Sequence, residues 1–479
     1  MADAPALVWF RNDLRLEDNP ALFHARETGA PVICLYILDE EMEFAPGGAS
    51  KWWLHHSLSA LAADIEKAGS RLILKRGSSP EILKEMIELT GASQVFWNRR
   101  YYASYVEADK QLKTDLKDQG IAVETFNGSL LREPWEVKTK TGGPYNVFTP
   151  FWKALRAMGP ARKALPQIRK LNGCKSHPKS DKLDDWNLLP SKPNWATEFE
   201  NDWTPGEKGA RKKLRDFLSD AVNVYASGRD RPDREWTSRL SPHLAFGEIS
   251  PLQIWSETQS AIAGGDASEN AADKFLSEIA WREFSYSLLF HNKGLPSKPL
   301  RKEFANYPWR NDRKGLRAWQ KGMTGYPIVD AGMRQLWRTG WMHNRVRMIV
   351  ASFLIKDLLV PWQKGEAWFW DTLVDADLAN NAASWQWVAG CGADASPWFR
   401  VFNPITQGEK FDPEGDYVRK FVPELKDLPA KYIHSPWQAP EEELQKAGVN
   451  LGKTYPFPIL DHAEARRRAL EGYDRIRGG

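Results

Sequence analysis

The first 130 residues alternate between short apolar runs and longer segments in which apolar residues recur every three or four positions. Short apolar runs are typical of strands buried on both faces of a sheet, and the longer period is typical of helices. The runs that predict strands are Leu7–Phe10, Val32–Leu38, Arg71–Lys75, Gln94–Trp97 and Ile121–Phe126. The segments that predict helices are Lys51–Ala68, Pro80–Leu89 and Tyr105–Lys117. This alternation predicts an α/β domain over residues 1–130, with a parallel sheet covered by helices on both faces.

The turn after the first predicted strand differs from that of a dinucleotide-binding unit. Such units carry a GxGxxG phosphate loop at this point, whereas this chain has Arg11-Asn12-Asp13. The N-terminal domain is therefore predicted to be Rossmann-like without the standard nucleotide loop.

The periodicity disappears between residues 131 and 205. Lys, Pro, Gly, Asp and Trp dominate this segment, and its prolines are Pro134, Pro144, Pro150, Pro160, Pro166, Pro178, Pro190, Pro193 and Pro205. We interpret residues 131–205 as an interdomain connector on the surface.

Helical periodicity returns at residue 206 and dominates the rest of the chain. The predicted helices are Gly206–Tyr225, Ser250–Ala263, Ala272–His291, Gly315–Lys321, Asp330–Trp337, Met342–Leu359, Glu366–Leu373 and a basic Ala463–Arg477. We predict an all-α C-terminal domain over residues 206–479.

Composition and charge exclude several classes of protein. The 479 residues include 66 Lys and Arg against 62 Asp and Glu, so the net charge of +4 does not indicate binding to polyanions by bulk charge. The three cysteines show no paired spacing, so neither a disulfide framework nor a zinc site is expected. Because neither a secretory signal nor an apolar run of membrane-spanning length is recognisable, we expect a cytoplasmic protein that does not use a membrane. We also expect no metal site.

Tryptophan is unusually frequent. The chain has 23, and 11 of them lie between Trp281 and Trp398. A large aromatic core and a chemistry that uses indole rings both explain this excess.

Two segments suggest ligand contacts. Thr237-Ser238-Arg239-Leu240-Ser241 places three hydroxyls and a guanidinium before a helix, which suits a phosphate or simple helix capping about equally. Glu278, Trp281 and Arg282 share one face of a predicted helix, which suits a flat polar ring or an ordinary Glu–Arg pair beside a core tryptophan.

Two further segments follow. Ala331–Lys356 lacks acidic residues but contains arginines and tryptophans, as a surface for nucleic-acid phosphates and bases does, although a solvated basic face is also possible. Asp375 and Asp377 then precede Asn381 and Trp385-Gln386-Trp387. These acids suit pairing with the preceding arginines better than a metal, since no His or Cys lies near them.

Together these segments resemble the photolyase/cryptochrome flavoproteins over nearly the whole chain. The matching landmarks, in family order, are Trp9–Arg15, Thr237–Ser241, Trp281–Phe284, Gly325–Asp330, Gly340–Met348 and Trp385–Trp387. The resemblance implies an α/β antenna domain followed by a helical domain that binds FAD.

The resemblance also implies cofactor contacts and an electron route. The residues that would bind FAD are Tyr225, Thr237, Ser238, Arg239, Leu240, Ser241, Phe275, Glu278, Arg282, Asn344, Arg347, Asp375, Asp377 and Asn381. Arg347 would pair with Asp375, and Asn381 would face flavin N5. Trp385, Trp362 and Trp309 occupy the positions of the family's electron-transfer triad.

For damaged DNA, the resemblance implies light-driven repair of a cyclobutane pyrimidine dimer that is flipped out of the duplex. Glu278 and Asn344 would hydrogen-bond a cyclobutane pyrimidine dimer. The residues of the protein that would bind DNA are Trp281, Arg345, Met348, Trp387 and Arg400.

Four positions indicate the branch. Plant-type cryptochromes usually carry Asp where this chain has Asn344 and Asn381. Dimer photolyases carry the equivalent of Glu278. Photolyases for (6-4) lesions and DASH proteins differ from this chain around Asn344, Arg347 and Met348. The N-terminal half nevertheless resembles plant-type cryptochromes at Ser50–Leu54, Gly91–Gln94 and Glu133–Val137. This combination is similar to class III dimer photolyases.

The leading hypothesis is therefore deoxyribodipyrimidine photo-lyase activity on UV-damaged DNA, and the alternative is a blue-light photoreceptor that signals through a protein partner. A second chromophore is expected in the N-terminal domain, methenyltetrahydrofolate first and a deazaflavin as the alternative. We expect a monomer, associated with the nucleoid if the source is bacterial. The chain extends only about 80 residues past Arg400, which does not favour a long signalling tail.

Overall fold

A computed structural model describes residues 4–174, 176–394 and 399–477. The chain divides into two compact units. The first unit comprises Met1–Asn223, Ser238–Lys293 and Val374–Asp377, and the second comprises Val224–Thr237, Gly294–Leu373 and Leu378–Gly479. The domain boundaries expected at residues 130 and 206 stay a prediction.

The first unit contains the predicted parallel sheet. Its strands, in chain order, are β1 Ala6–Phe10, β2 Val32–Leu38, β3 Leu72–Arg76, β4 Gln94–Asn98 and β5 Ala122–Phe126. Every neighbouring pair is parallel, and the order across the sheet is β3-β2-β1-β4-β5. Within β1, Val8 lies opposite Cys34 on one side and Phe96 on the other. The predicted α/β architecture is confirmed.

Burial follows the apolar runs that predicted the strands. All five residues of β1 and all seven of β2 are buried, because helices cover both faces of a parallel sheet. One core cluster joins Leu7, Leu35, Ile73 and Val95 from four strands to side chains of the covering helices. At the edge strand β5, by contrast, Ala122 and Glu124 are exposed.

Six helices of the first unit begin within three residues of a predicted segment, whereas no helix was predicted at Pro20–Glu27, Phe148–Met158, Phe199–Asp202 or Ser241–Ala245. The helices are α1 Pro20–Glu27, α2 Gly48–Lys67, α3 Ser79–Thr90, α4 Ala103–Asp118, α5 Phe148–Met158, α6 Phe199–Asp202, α7 Glu207–Asp220, α9 Ser241–Ala245, α10 Pro251–Gly264 and α11 Glu269–His291, with α8 Val222–Gly228 shared between the units. A 3₁₀ helix spans Leu183–Trp186.

Helix α5 lies inside the segment that we predicted to be a connector without periodicity. Pro150 counted there as a break, but a proline is tolerated in the first turn of a helix, where its missing N–H has no intrahelical partner in any case. Phe148, Phe151 and Leu155 then form the buried face of the helix. The prediction therefore missed a regular helix because of one residue in its first turn.

The landmark Trp9–Arg15 stabilises the crossover point of the sheet. Arg15 is completely buried and donates to the backbone carbonyls of Asp18, Gly128 and Gly247. Arg11 donates to the carboxylate of Asp109 at 2.6 Å. These contacts join the carboxyl ends of the central strands to distant loops, so this motif has a structural role.

Among the described residues of the second unit, the regular secondary structure is helical apart from an isolated bridge between Leu451 and Tyr455. The α-helices are α12 Arg313–Lys321, α13 Pro327–Thr339, α14 Asn344–Ser352, α15 Trp362–Thr372, α16 Leu378–Ala389, α17 Pro404–Phe411, α18 Asp416–Phe421, α19 Ala430–Ile433, α20 Glu441–Lys446 and α21 His462–Arg477. One π-helical turn spans Phe353–Asp357, and short 3₁₀ turns span Lys302–Asn306, Pro423–Leu425 and Pro436–Gln438. The predicted helical C-terminal domain is confirmed.

Two features concern membrane-spanning helices and metal-ligand clusters in the described ranges. None of their helices is both long enough and apolar enough to cross a membrane. The same ranges bring no three His, Cys, Asp or Glu side chains together in a way that could hold a metal ion.

Candidate active site

Helix α11 presents the predicted polar face in the first unit. Glu278 is half-buried and forms an ion pair of 3.1 Å with Lys274, one turn earlier on the same helix. Arg282 is 8% exposed and donates to the backbone carbonyl of Ser129 at 2.7 Å. Glu278 therefore contacts Lys274, and Arg282 contacts the backbone of Ser129. The sequence did not predict either partner.

A tyrosine connects Arg282 to one of the predicted acids. The guanidinium carbon of Arg282 lies 4.6 Å from the ring centroid of Tyr286, one turn further along α11. The Tyr286 hydroxyl donates to Oδ2 of Asp377 at 2.5 Å. Burial and the neighbouring Asp377 raise the pKa of Tyr286, so it remains a donor at neutral pH. Asp377 is thus held in place by a residue that the sequence analysis did not single out.

The aromatic residues of α11 each have a ring partner in the first unit. Trp281 is half-buried, and its ring stacks on Phe148 of α5 with 3.8 Å between centroids and 10° between planes. Phe275 is buried, and its centroid lies 4.5 Å from that of Phe217. Stacking on Phe148 fixes one face of the Trp281 indole.

The segment Thr237–Ser241 is not a simple capping motif. The N-cap residue of α9 is Leu240, which makes no side-chain capping hydrogen bond. Arg239 has φ of 50°, in the left-handed region, and its guanidinium lies 4.3 Å from the Trp203 centroid and 3.3 Å from an Asp202 oxygen. Thr237 and Ser238 are half-buried and Ser241 is exposed. A non-glycine residue in this conformation is typical of a functional turn.

In the second unit, α14 starts with two predicted site residues. His343 is its N-cap, and Nδ1 of His343 accepts a hydrogen bond of 3.2 Å from the backbone of Arg345. Asn344 is exposed at the first position of the helix. The guanidinium of Arg345 forms an ion pair of 2.9 Å with Asp230 and lies 4.5 Å from the Phe411 centroid.

The next turn of α14 carries Arg347 and Met348, which are both half-buried. Nε of Arg347 donates to the backbone carbonyl of Met342 at 2.7 Å. Asp375, in the first unit, is 8% exposed. The pairing of Arg347 with Asp375 stays a prediction.

Helix α16 places Asn381 beside a buried acid of α15. The side-chain amide of Asn381 donates to the backbone carbonyl of Glu366 at 3.1 Å, which orients the amide group. Burial raises the pKa of the Glu366 carboxyl to about 8. Tyr225, on α8, is also buried, and the guanidinium of Arg229 lies 5.6 Å from its ring centroid.

Packing, helical spacing and one backbone hydrogen bond relate the segments of the three predicted triad tryptophans within the second unit. A Cβ on Gly365 would lie 2.1 Å from the Trp385 ring, so this glycine allows the indole to pack directly on α15. Trp362 lies three residues before Gly365, on the same face of α15. The backbone N–H of Arg310 donates to the carbonyl of Leu359 at 2.7 Å, which places the segment of Trp309 beside the start of α15.

Exposure is greatest at the outer end of this series. Trp385 is 2% and Trp362 is 1% exposed, whereas Trp309 is half-buried. Trp385 also contacts a further tryptophan, Trp319, with 6.3 Å between centroids. The arrangement is compatible with a route from the protein interior towards solvent.

The remaining tryptophans differ in their surroundings. Nε1 of Trp387 donates to the carbonyl of Asp394 at 3.0 Å. Trp337 and Trp368 stack at 6.1 Å, and Trp337 is 49% exposed. Trp398 lies outside the described residues.

A buried lysine supports the last predicted DNA contact. Arg400 is exposed, and its backbone carbonyl accepts a hydrogen bond from Nζ of Lys356. Burial lowers the pKa of Lys356 to about 7. Lys356 therefore holds the backbone at Arg400, while the guanidinium lies over Phe402 with 4.7 Å to the ring centroid.

The donor set fits FAD. A pyrophosphate needs N–H and O–H donors, which the hydroxyls and backbone of Thr237–Ser241 offer. The polar edge of an isoalloxazine suits oriented amide or guanidinium groups. Arg282 in the first unit and Asn381 in the second unit are each buried, and each is oriented by a backbone carbonyl.

Comparisons with known proteins agree with this chemistry. A family model described as DNA photolyase matches residues 6–169, and one described as the FAD binding domain of DNA photolyase matches residues 275–475. A deoxyribodipyrimidine photo-lyase of Agrobacterium fabrum is 56% identical over 478 residues, covering 99% of this chain and 98% of that protein. The chain belongs to the photolyase/cryptochrome family.

Two more relatives place it within the family. The crystal structure of a bacterial class III photolyase from Agrobacterium tumefaciens superposes with a TM-score of 0.97 at 55% identity, covering 100% of this chain and 99% of that chain. Cryptochrome-1 of Arabidopsis thaliana is 40% identical, over 98% of this chain and 70% of that protein. The predicted similarity to class III photolyases is confirmed.

Sequence reasoning missed the residues that hold the site residues in place. They are Lys274, Tyr286, Phe148, Asp230, Glu366 and Lys356. Lys274 and Tyr286 lie one turn from Glu278 and Arg282, so helical spacing could have suggested them. No sequence signal connects Phe148, Asp230 or Lys356 to their partners.

Proposed function

We propose that this protein is a deoxyribodipyrimidine photo-lyase, which repairs cyclobutane pyrimidine dimers in DNA in a light-driven reaction. The observation that carries the proposal is the α11 face, where Glu278 and the stacked Trp281 stand one turn apart on a chain 56% identical to a protein of that name. The chemistry that bound FAD supplies, when it is reduced and excited by light, is the donation of one electron to the dimer.

The residues of α11 and α14 would bind the lesion. Trp281 offers a flat apolar face whose other side is already packed on Phe148, and an extruded dimer would rest against it, with Trp387 and Met348 beside it. Glu278 and Asn344 would hydrogen-bond the dimer carbonyls and stabilise the negative charge that develops on the dimer. Both side chains are at least partly accessible, as this role requires.

Arg345 and Arg400 would bind the phosphates that flank the lesion. The two arginines are prepared differently for this contact. Arg345 already pairs with Asp230, so a phosphate would share or replace that carboxylate. Arg400 is exposed and is positioned through its backbone by Lys356.

The cofactor contacts would be those implied by the family. Thr237–Ser241 and Tyr225 would contact the phosphates and their surroundings, and Phe275, Glu278 and Arg282 would line the cofactor along α11. Asn344, Arg347, Asp375, Asp377 and Asn381 would complete the site, with the Asn381 amide facing flavin N5. Tyr286 would keep Asp377 in position through its hydrogen bond.

Trp385, Trp362 and Trp309 would carry electrons from the protein surface to the cofactor. Indole rings can be oxidised in single steps, whereas aliphatic side chains in the same places cannot. The increase in exposure from Trp385 to Trp309 supports this direction.

Three finer features also belong to the proposal. A methenyltetrahydrofolate antenna, with a deazaflavin as the alternative, would occupy the N-terminal domain. The protein would act as a monomer in the cytoplasm, associated with the nucleoid if the source is bacterial.

The test compares two variants in a repair assay with light. Pre-reduced wild-type protein should restore thymines in irradiated DNA, and Glu278→Ala should lose most of that yield because the dimer loses a charged hydrogen-bond partner. Trp385→Phe is the matched control: it should block photoreduction of the oxidised protein yet leave repair by pre-reduced protein nearly intact. Absence of repair in the wild-type protein, on duplex and on single-stranded DNA, would contradict the proposal.

A photoreceptor is the second candidate, because the chain is 40% identical to Arabidopsis cryptochrome-1 over 98% of its length. Asn344 and Asn381 do not favour it, since plant-type cryptochromes usually carry aspartate at both positions. Photoreduction without repair, together with light-dependent binding to a protein partner, would support this candidate over the first.

A further inference from the structure

A cavity of about 460 Å³ lies in the second unit, away from every residue assigned to FAD or DNA. Its walls include Arg310, the start of α12 at Lys314, the end of the π-helical turn at Asp357, and Arg468 of α21. A volume of this size accommodates a small organic molecule.

The cavity is electropositive. Arg310, Lys314 and Arg468 contribute three cationic groups to its lining. Neither Arg310 nor Lys314 forms an ion pair with any residue in the ranges that the structure describes. Arg468, by contrast, forms an ion pair of 3.7 Å with Glu464 and donates to the backbone carbonyl of Asp357 at 3.4 Å. These groups favour an anionic ligand.

The two carboxylates in the lining offset part of this charge, and each already has a partner within the protein. Asp312 caps α12, since its Oδ1 accepts from the backbone of Gly315 at 2.8 Å. Oδ1 of Asp357 lies 2.5 Å from Nδ1 of His462. Oδ2 of the fully buried Asp357 has no hydrogen-bond partner among the described residues.

The cavity adjoins the segment that carries Trp309. Arg310, in its wall, is the next residue in the chain. The ring of Trp309 lies 4.5 Å from that of Tyr307, whose hydroxyl donates to the carbonyl of Ala469, next to Arg468. The segment 307–310 therefore connects the half-buried indole to the cationic wall.

We infer that this cavity binds a small hydroxylated organic anion that acts as a one-electron reductant for Trp309. The inference rests on the proposed function, because it requires Trp309 to be the outer end of the electron route. A bound anion would also offset the two unpaired positive charges that otherwise disfavour a cation on the nearby indole.

The step balances with one donor molecule. After Trp309 has given up an electron and its indole proton, a neutral indolyl radical remains. An enediol monoanion in the cavity transfers one electron to that radical; because Trp309 does not line the cavity, the hydroxyl proton of the donor passes to water and the indole nitrogen takes a proton from water. The indole N–H bond re-forms, the donor O–H bond breaks, and the donor leaves as a radical anion.

The experiment is flash photolysis of the holoprotein with oxidised FAD, without DNA, following the decay of the indolyl radical. Ascorbate, a monoanion at neutral pH, serves as the anionic probe, and neutral hydroquinone is the comparison. In the wild-type protein the decay rate should rise and then level off with ascorbate concentration. In the double variant Arg310→Gln with Lys314→Gln, the rate at low ascorbate should fall about tenfold, as expected when two steering charges are lost.

A matched control removes two charges from α12, the helix of Lys314, at positions outside the cavity lining. Arg317→Gln with Lys321→Gln should retain the wild-type ascorbate dependence, and hydroquinone should quench the radical equally in all proteins. An unchanged ascorbate rate in the Arg310 and Lys314 double variant would overturn the inference, and so would an equal slowing with hydroquinone.

A third variant separates this inference from the proposed function. Trp309→Phe should abolish the long-lived indolyl radical. A radical that persists unchanged in this variant would show that the electron route ends elsewhere, and the proposed route would then fail before the cavity is tested.

Discussion

The α11 face and the tryptophan-bearing helices α15 and α16 differ in how accessible their functional side chains are. On α11, Glu278 and Trp281 stay partly accessible and are held by an ion pair and by stacking on Phe148. Trp362 and Trp385 are almost completely buried and are held by packing alone. A lesion site has to admit a ligand, whereas an electron route has to exclude water and fix ring positions. Substitutions should therefore separate function from stability in the first region and combine them in the second.

Gly365→Ala is the strongest test of the packed region. The new Cβ would lie 2.1 Å from the Trp385 ring and 2.7 Å from a Leu354 methyl, so a helix or an indole must move. We expect a loss of about 3 kcal/mol in unfolding free energy, and impaired photoreduction in the same variant. Denaturant unfolding and flash photolysis measure the two effects.

Gly264→Ala provides the matched control. This glycine lies at the end of α10, and a Cβ there would meet only an Asp266 carboxylate oxygen at 3.4 Å. It should leave photoreduction unchanged and stability the same or slightly higher, because alanine favours the helix. Equal stability losses in both variants would show that Gly365 has no special packing role.

The start of α14 combines features of both regions, because His343 is a buried polar cap. Burial lowers the pKa of His343 from about 6.5 to about 4, while Asp230 opposes the shift and Arg229, Arg345 and Arg347 add to it. The unfolded chain therefore binds a proton on this residue at a higher pH than the native protein does. Its contribution to stability is complete above pH 6.5 and is lost as the pH falls towards 4.

His343→Asn should flatten that dependence. Asparagine keeps an N-cap acceptor but has no proton to bind. We expect the stability difference between pH 7 and pH 4.5 to shrink by about 2 kcal/mol, measured by urea unfolding at each pH. If both proteins lost stability equally over this range, the protonation of His343 would not contribute.

Phe148→Leu is the mildest test and addresses the accessible region. Leucine fills most of the buried space but cannot stack on Trp281, so stability should fall by only about 1 kcal/mol. Repair should decline more than this small loss suggests, while photoreduction should remain at the wild-type level. A parallel loss of photoreduction would mean that the two regions are not independent.

The sequence predicted the α11 face correctly because its information is local. Glu278, Trp281 and Arg282 share a face as soon as the segment is helical, and the period of the apolar residues predicted that helix. Helix α5 was missed because one proline in its first turn outweighed the apolar residues behind it.

The partners of the site residues could not be predicted in the same way. Tyr286 and Asp377 are 91 residues apart, and Trp281 stacks on a helix that begins at Phe148. Arg345, expected to bind DNA, forms an ion pair with Asp230. Nothing in the spacing of these residues indicates contact.

By itself, the sequence determined the two architectures, the order of the family landmarks and the helical face that carries Glu278. All three depend on periodicity or on residue order, which are properties of neighbouring positions. Only the tertiary structure decided which side chains orient the site residues, where an indole packs on a glycine, and that cationic residues from separate helices line one cavity. Such contacts depend on how elements pack across the chain, and a sequence records no distances between distant segments.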